Sequence, residues 1–444
     1  MTADNLSLSK FKLNKIREIR DLNLNKILIG MYMSTFVTNI NEMSNLVINN
    51  LLSGIRNLTR TKRSVYVIGL IFAFLVTSIE AIKSSYNNFQ IFSHGSLDFW
   101  SGINPYSDWN HISILGKPLD VFLYGPLFSV LFTPFALLPG WPGVFCWNIF
   151  TYSLFYFSVF TLPDQFSFVT KKFIFFFTAL LLFSTLLSVQ FNPVVASLFL
   201  FSFTLLEKKQ GFWAVLIILL SGFTKVYGIF QLAMLLFYPG FWKNARYAVL
   251  IGIVLLLLPL IHIPANDLIA YYQSWIVAVT NHSDASRFYS IYRPVCLFFK
   301  SVEPFMGFIS VGVLLTVFFI TLLKLKLFKE SFLLRAQFLG ILMSWSILFG
   351  LSSERHTYVI AMAGYAIWYL CSTPTRLDKV LLWMNFVLLG VLPIDLFCPW
   401  IVSNFILAKL NLGVIVFAIT WIIMVYKTYS RTGKSTKIEI QLVL

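Results

Sequence analysis

The sequence predicts an all-α polytopic membrane protein, a bundle of about 12 transmembrane helices with a sizeable first non-cytoplasmic loop. Three observations predict it. Hydrophobic residues make up 58% of the 444 positions and charged residues only 12%, whereas soluble domains carry about 25% charged residues. Apolar stretches near the ~20 residues a helix needs to cross the hydrocarbon core recur from residue 64 onward. The basic residues collect in the short breaks between them, and a bilayer with no water to satisfy an open backbone leaves the helix as the spanning form.

In chain order, residues 1–63 form a basic N-terminal segment with ten Lys/Arg against four Asp/Glu. Within it, KFKLNKIREIR places Ile16, Ile19 and Leu22 at helical spacing, which predicts a helix lying on anionic lipid on the cytoplasmic side. The first 25 residues have no continuous apolar core, which argues against a cleavable signal peptide, and 27–39 is too short and polar for a span. A transmembrane bundle over 64–428 follows. Its first span, 64–83, leads into an outer loop over 85–123. Spans are then predicted at 124–138, 143–162, 172–189, 193–206, 211–226, 227–238 and 246–262. After a second outer loop at 263–303 come 304–326, 336–352, 356–371, 379–396 and 404–427, and a cytoplasmic tail over 429–444. Alternation of the charged breaks requires one crossing fewer between 124 and 189, which gives about twelve spans with both termini inside.

The net charge of +16 reads as topology rather than nucleic-acid binding. Its sources are the breaks at Arg60 to Arg63, Lys208/Lys209, Lys243 to Arg246, Lys324 to Arg335, Arg376 to Lys379 and Lys427 to Lys437, which the positive-inside rule assigns to the cytoplasm. All five histidines and seven carboxylates from Asp98 through Glu354 fall in or beside the opposite breaks. A polar site on the non-cytoplasmic face is the economical reading. Four scattered cysteines, Cys146, Cys296, Cys371 and Cys398, have neither metal-ligand nor disulfide spacing.

Several residues stand out against the apolar background. Lys225, in LLSGFTKVYGIFQ, is costly in a membrane unless it faces a cavity or a partner, and it suits an anionic phosphate; snorkelling to the interface is the alternative. Gln190 and Asn192 stand just before the helix-restarting Pro193 and can bond a sugar or a broken backbone. In NHSDASRFYSIYRPV, Arg287 and Arg293 can fork onto phosphate oxygens or anchor the loop at the interface. Glu354, Arg355 and His356 form a dense charged triplet between two spans, suited to binding or to an ion pair that pins two helices. Among the first-loop carboxylates Asp98, Asp108 and Asp120, each a candidate base or a solvated side chain, Asp120 is favoured because D-x-x-x-YGP places it at the membrane re-entry.

The order of these features resembles glycosyltransferase family 87, the polytopic polyprenyl-phosphate-sugar-dependent transferases. The matching pieces are NNFQIF, G-x-NPY from Gly102 to Tyr106, YGPLFSVLFTPFALLP from Tyr124, Q-x-N at Gln190 and Asn192, K-x-Y at Lys225 and Tyr227, and SSERH near residue 354. The resemblance extends over most of residues 65–370 and implies a GT-C-like bundle and a mannose-like hexose moved with inversion on the non-cytoplasmic face. The implied partners are a polyprenyl-phosphate-linked sugar donor, a lipid or glycan acceptor and membrane lipids, with no nucleic acid, cofactor or metal. Lys225, Arg287 and Arg293 are then expected on the donor phosphate, and Gln190, Asn192, Tyr124, Glu354 and His356 on sugar or acceptor. A bacterial inner membrane is the expected location. One departure stands in the catalytic set: the family's usual Asp at the start of the first outer loop is Asn88 here. Either Asp120 or another loop carboxylate has taken its role, which the D-x-x-x-YGP setting favours, or transfer activity has been lost. A transporter or flippase of lipid-linked saccharides would use a similar cavity, but no paired internal repeat is visible. The loop that defines an O-antigen polymerase or ligase would also have to be larger than 263–303.

Overall fold

A computed structural model describes residues 57–83, 86–107, 109–281, 289–350, 353–393 and 411–430. Two compact units divide the chain, Met1–Ile68 and Gly69–Leu444. The first is described only from residue 57, so the N-terminal helix expected around Ile16 to Leu22 and residues 27–39 lie outside the described residues, as does the tail beyond 430. The opening turns of α1 (Lys62–Lys83) belong to it, and the elements from Gly69 onward belong to the second.

Among the described residues the structure is helical apart from one isolated bridge, Ile112 to Pro118. After α1 come α2 (Asn87–Ser101), α3 (Pro126–Ala136), α4 (Gly140–Phe160), α5 (Phe168–Leu187), α6 (Asn192–Glu207) and α7 (Gly211–Thr224). A three-ten helix over Val226–Phe237 leads to α8 (Phe241–Leu257), α9 (Leu268–Asn281), α10 (Tyr292–Phe298), α11 (Met306–Leu323) and α12 (Leu325–Glu330). The chain continues through α13 (Phe332–Leu348), α14 (Tyr358–Leu370), α15 (Arg376–Asn385) and α16 (Leu412–Ser430). Six segments are long and apolar enough to cross a membrane: Lys62–Lys83, Gly140–Phe160, Phe168–Leu187, Phe241–Ile261, Lys300–Leu323 and Leu412–Ser430. Five more apolar helices, including α6, α7 and α13, are 10–17 residues long, or about 15 to 25 Å. This is a multi-pass membrane protein. Consistent with lipid contact, α8 exposes Val249, Leu250, Ile253 and Val254, and α11 exposes Phe308, Val311, Leu315 and Phe319.

Both segments expected to be loops, 85–123 and 263–303, contain helix among the described residues, which their composition hides. α2 occupies NNFQIFSHGSLDFWS, where amides and small polar residues depress hydropathy, but Phe89, Phe92, Ser96 and Phe99 form a buried stripe at helical spacing. Gly102, at φ +74°, closes the helix: its own N–H reaches the Phe99 carbonyl, and the Ile103 N–H reaches the Asp98 carbonyl at 3.0 Å. The remainder of the first loop turns back on itself, with the Ser113 N–H donating to the Lys117 carbonyl at 2.7 Å. Residues 263–303 likewise hold α9, α10 and a three-ten turn over Lys300–Phe305.

The helices meet around α13 and α14. Both are buried over most of their length, α14 throughout, because Gly340 and Gly364 let the two backbones touch: a Cβ on Gly340 would lie 2.5 Å from the Gly364 carbonyl oxygen. Ser331 caps the start of α13 by accepting from the Leu334 N–H. The tight pair fixes the turn between them, which carries Glu354, Arg355 and His356. Residues 289–291 are tied to the same end, the Ile291 N–H donating to the Leu348 carbonyl at 2.9 Å and the Tyr358 hydroxyl to the Tyr289 carbonyl at 2.8 Å.

Candidate functional site

Hydrogen bonds bring the end of α5, the start of α6, the end of α7 and the start of α14 together at one end of the bundle. Each carries a polar side chain there. α7 stops at Thr224, and Lys225 is extended (φ −138°, ψ 115°) before the chain tightens into the three-ten helix. Its Nζ donates to Asn192 Oδ1 at 2.7 Å and lies 5.4 Å from the Tyr124 ring centroid and 5.6 Å from that of Tyr227, within cation–π range. Asn192 Nδ2 in turn donates to Gln190 Oε1 at 3.2 Å, and Gln190 Nε2 donates to Glu354 Oε2 at 3.2 Å.

The sense of this chain follows from its ends. A lysine ammonium only donates and a carboxylate only accepts, so both amides must turn their oxygens toward Lys225 and their NH2 groups toward Glu354. Hydrogen bonds aligned in one direction polarise one another. Asn192 is wholly buried and Gln190 nearly so, which keeps water from competing. Pro193, at the first turn of α6, sets Asn192 at the helix start, and the turn before it is tight, with the Gln190 N–H bonded to the Thr185 carbonyl at 2.9 Å.

Beside this chain lies a second one. His356 Nε2 is 3.1 Å from Ser188 Oγ and its Nδ1 is 3.4 Å from Ser184 Oγ, the two serines being one turn apart at the end of α5. The Ser188 carbonyl accepts from Asn88 Nδ2 at 2.7 Å. Asn88, where the family usually has an Asp, is therefore an amide donor engaged with backbone. Arg355, between Glu354 and His356, turns away and donates to the Pro393 carbonyl.

The first loop is clamped against the same end. The Gly125 N–H donates to the Thr224 carbonyl at 3.2 Å, one residue from Lys225. A Cβ at Gly125 would lie 2.0 Å from the Phe223 carbonyl oxygen, so the glycine of YGP allows two backbones to meet. The Tyr106 hydroxyl donates to the Tyr124 carbonyl at 2.7 Å, and the Tyr124 ring stacks on Phe128 with centroids 4.4 Å apart. Farther out, Asp98 is 5% exposed and its Oδ2 meets His111 Nε2 at 2.6 Å. The His94 ring stacks on His111 with centroids 4.2 Å apart. Burial and the neighbouring His111 lower the His94 pKa below the ordinary histidine value, against an opposing pull from Asp98.

The structure thus gathers Tyr124, Gln190, Asn192, Lys225 and Glu354 into one network and sets Asn88 and His356 beside it. Asp98 stands in a separate histidine cluster. Asp120 is exposed and makes no hydrogen bond or ion pair with a described residue. Arg293, near the start of α10, is carried toward the Glu354 end by the Ile291 and Tyr289 bonds. Asp108 and Arg287 lie outside the described residues. Sequence reasoning missed Ser184, Ser188 and the His111 partner of Asp98. Two serines four apart in the apolar run before Q-x-N were the available sign of the first pair.

No curated protein matches the chain. The model of glycosyltransferase family 87 matches residues 122–350, just over half of the 444 residues. That stretch takes in Tyr124, Gln190, Asn192 and Lys225, the residues that converge at one helix end, and leaves Asn88, Asp98, Asp120, Glu354 and His356 outside. It is narrower than the 65–370 over which the motifs resemble the family. With a helical membrane bundle and a lysine–amide chain at one end of it, the protein belongs to glycosyltransferase family 87, a family of membrane glycosyltransferases.

Proposed function

We propose that the protein transfers a sugar, a mannose-like hexose, from a polyprenyl-phosphate donor to a lipid or glycan acceptor on the non-cytoplasmic face of a bacterial inner membrane. One observation carries the reading: a lysine held by a buried amide between two tyrosine rings, at the end of the bundle away from the basic breaks. Such a cation is positioned before substrate arrives, so it stabilises negative charge as it develops on a departing phosphate without reorganisation.

In this reaction the acceptor oxygen forms a bond to the anomeric carbon as the bond to the phosphate oxygen breaks, from the opposite face, so the configuration inverts. Lys225 binds the leaving phosphate, with Arg287 and Arg293 as further phosphate contacts. Gln190, Asn192 and Tyr124 hold the sugar, with His356 beside them. A carboxylate takes the acceptor proton. Asn88 cannot serve, since an amide has no basic lone pair at neutral pH. Asp120 is the proposed base, an exposed and unengaged carboxylate four residues before Tyr124, while Asp98 is occupied by His111. A second reading assigns the base to Glu354, because it is the carboxylate in the Lys225 network.

The test is transfer in lipid nanodiscs from a panel of labelled polyprenyl-phosphate sugars to a membrane lipid extract. Label should move into a new product with the wild type, and Lys225→Ala should lower kcat/KM by about 10²- to 10³-fold. Transfer that survives Lys225→Ala undiminished would remove Lys225 from the reaction.

A further inference from the structure

At the opposite end of α7, ~20 Å from Lys225 along a 14-residue helix, lies a cavity of about 530 Å³, a size typical of small-ligand sites. Lys209, Gln210, Trp213, Lys243, Asn244 and Tyr247 contribute to its lining, which contains no carboxylate. Glu207, the nearest acid in sequence, is consumed elsewhere: the Tyr238 hydroxyl donates to it at 2.6 Å, and Arg335 donates to both its oxygens at 2.7 and 2.9 Å.

Two further features point to an anion. The first turns of α7 and α8 both open on the cavity, and neither helix has a side-chain N-cap. Their first intrahelical donors are the Ala214 N–H to Gln210 and the Asn244 N–H to Gly240, so the earlier amides lie beyond intrahelical reach. Independently, Asn244 is only 7% exposed as a residue, lines the cavity, and its side-chain amide has no hydrogen-bond partner among the described residues. An amide held against a cavity without a protein partner is available to a ligand or water that enters it. The surroundings name the ligand's source. Phe212, Trp213 and Trp242 are exposed beside the opening, as aromatic residues are at a membrane–water interface, and Lys243 Nζ lies 5.8 Å from the Tyr247 ring centroid.

We propose that this cavity binds a phosphate group, carried by an anionic phospholipid whose headgroup enters between the first turns of α7 and α8. Lys209 and Lys243 supply the charge, the two helix starts supply amide donors, and Asn244 supplies a directional bond to a phosphate or glycerol oxygen.

The experiment reads binding alone, so its outcome is independent of sugar transfer. Full-length protein would be reconstituted with phosphatidylglycerol or phosphatidylcholine, washed in detergent, and examined by native mass spectrometry for retained lipid. Wild type should keep phosphatidylglycerol in preference to phosphatidylcholine. Lys209→Gln combined with Lys243→Gln should weaken retention by about thirtyfold, two basic groups being lost from an anionic-lipid site. Both lysines are exposed, and Lys243→Arg, which keeps the charge, should retain the lipid. Millimolar inorganic phosphate forms a second arm. If it displaces the lipid from wild type, the phosphate group is the feature recognised. If phosphate binds but phosphatidylglycerol is not preferred, the anion site stands and a lipid as its source is overturned. Equal phosphatidylglycerol retention by wild type and the double variant, with no lysine-dependent phosphate binding, would overturn the site itself.

Discussion

Lys225 and Glu354 are joined by two amide side chains and not by an ion pair: the ammonium meets Asn192, Asn192 meets Gln190, and Gln190 meets the carboxylate. A direct bridge would spend each charge on the other. The amides instead fix both charges while leaving each with capacity for a substrate.

Shortening that link should therefore damage function more than folding. Asn192→Asp puts a carboxylate directly on Lys225 and neutralises it for phosphate. We expect kcat/KM to fall by about 10²-fold, comparable to losing a preorganised donor, with the thermal unfolding midpoint little changed. Gln190→Leu leaves the Asn192 NH2 without its acceptor and should lower stability by about 1–3 kcal/mol, read by thermal unfolding in detergent.

Gly125→Ala tests the close approach of the first loop to α7. The φ of −62° at Gly125 suits any residue, so the entire cost comes from the Cβ meeting the Phe223 carbonyl oxygen at 2.0 Å. Overpacking of this kind costs about 1–3 kcal/mol. The unfolding midpoint should fall and transfer should fall with it, since Tyr124 and Lys225 lie on the two strands of chain forced apart. An unchanged midpoint and activity would show that the contact is not held in the membrane.

Acidification should loosen the first loop. The His94 pKa is depressed in the folded protein below its ordinary 6.5, so the unfolded loop binds a proton more readily. Its contribution to stability is complete above about pH 6.5 and is lost as pH falls through the folded value. Hydrogen-exchange protection factors of residues 89–122, corrected for the intrinsic pH dependence of exchange, should fall between pH 7 and 5, and His94→Gln should flatten that dependence. His111 and Asp98 face His94 in the same cluster, so the comparison with His94→Gln isolates its share.

Asp120→Asn and Glu354→Gln separate the two readings of the base. Loss of the true base should cut kcat by about 10²- to 10⁴-fold and remove the acidic limb of the pH–rate profile. The other substitution should act mainly on KM. Activity retained in both variants would exclude each as the base.

How much was legible beforehand differs from element to element. The predicted span at 64–83 is observed as Lys62–Lys83 and that at 143–162 as Gly140–Phe160, because long apolar runs record burial in lipid directly. α2 was hidden, since a hydropathy reading averages Asn87, Gln90 and Ser93 with Phe89, Phe92 and Phe99 and misses the buried stripe they share. Membrane class, helical form and the unusual polar residues of Q-x-N, Lys225 and SSERH were fixed by composition and motif, which are local properties of the chain. Which of them touch was decided only in three dimensions. Gln190 and Glu354 stand 164 residues apart and Asn192 and Lys225 stand 33 apart, and only the close packing of α13 on α14 through Gly340 and Gly364, with α7 ending beside Gly125, brings these helix ends within hydrogen-bond distance.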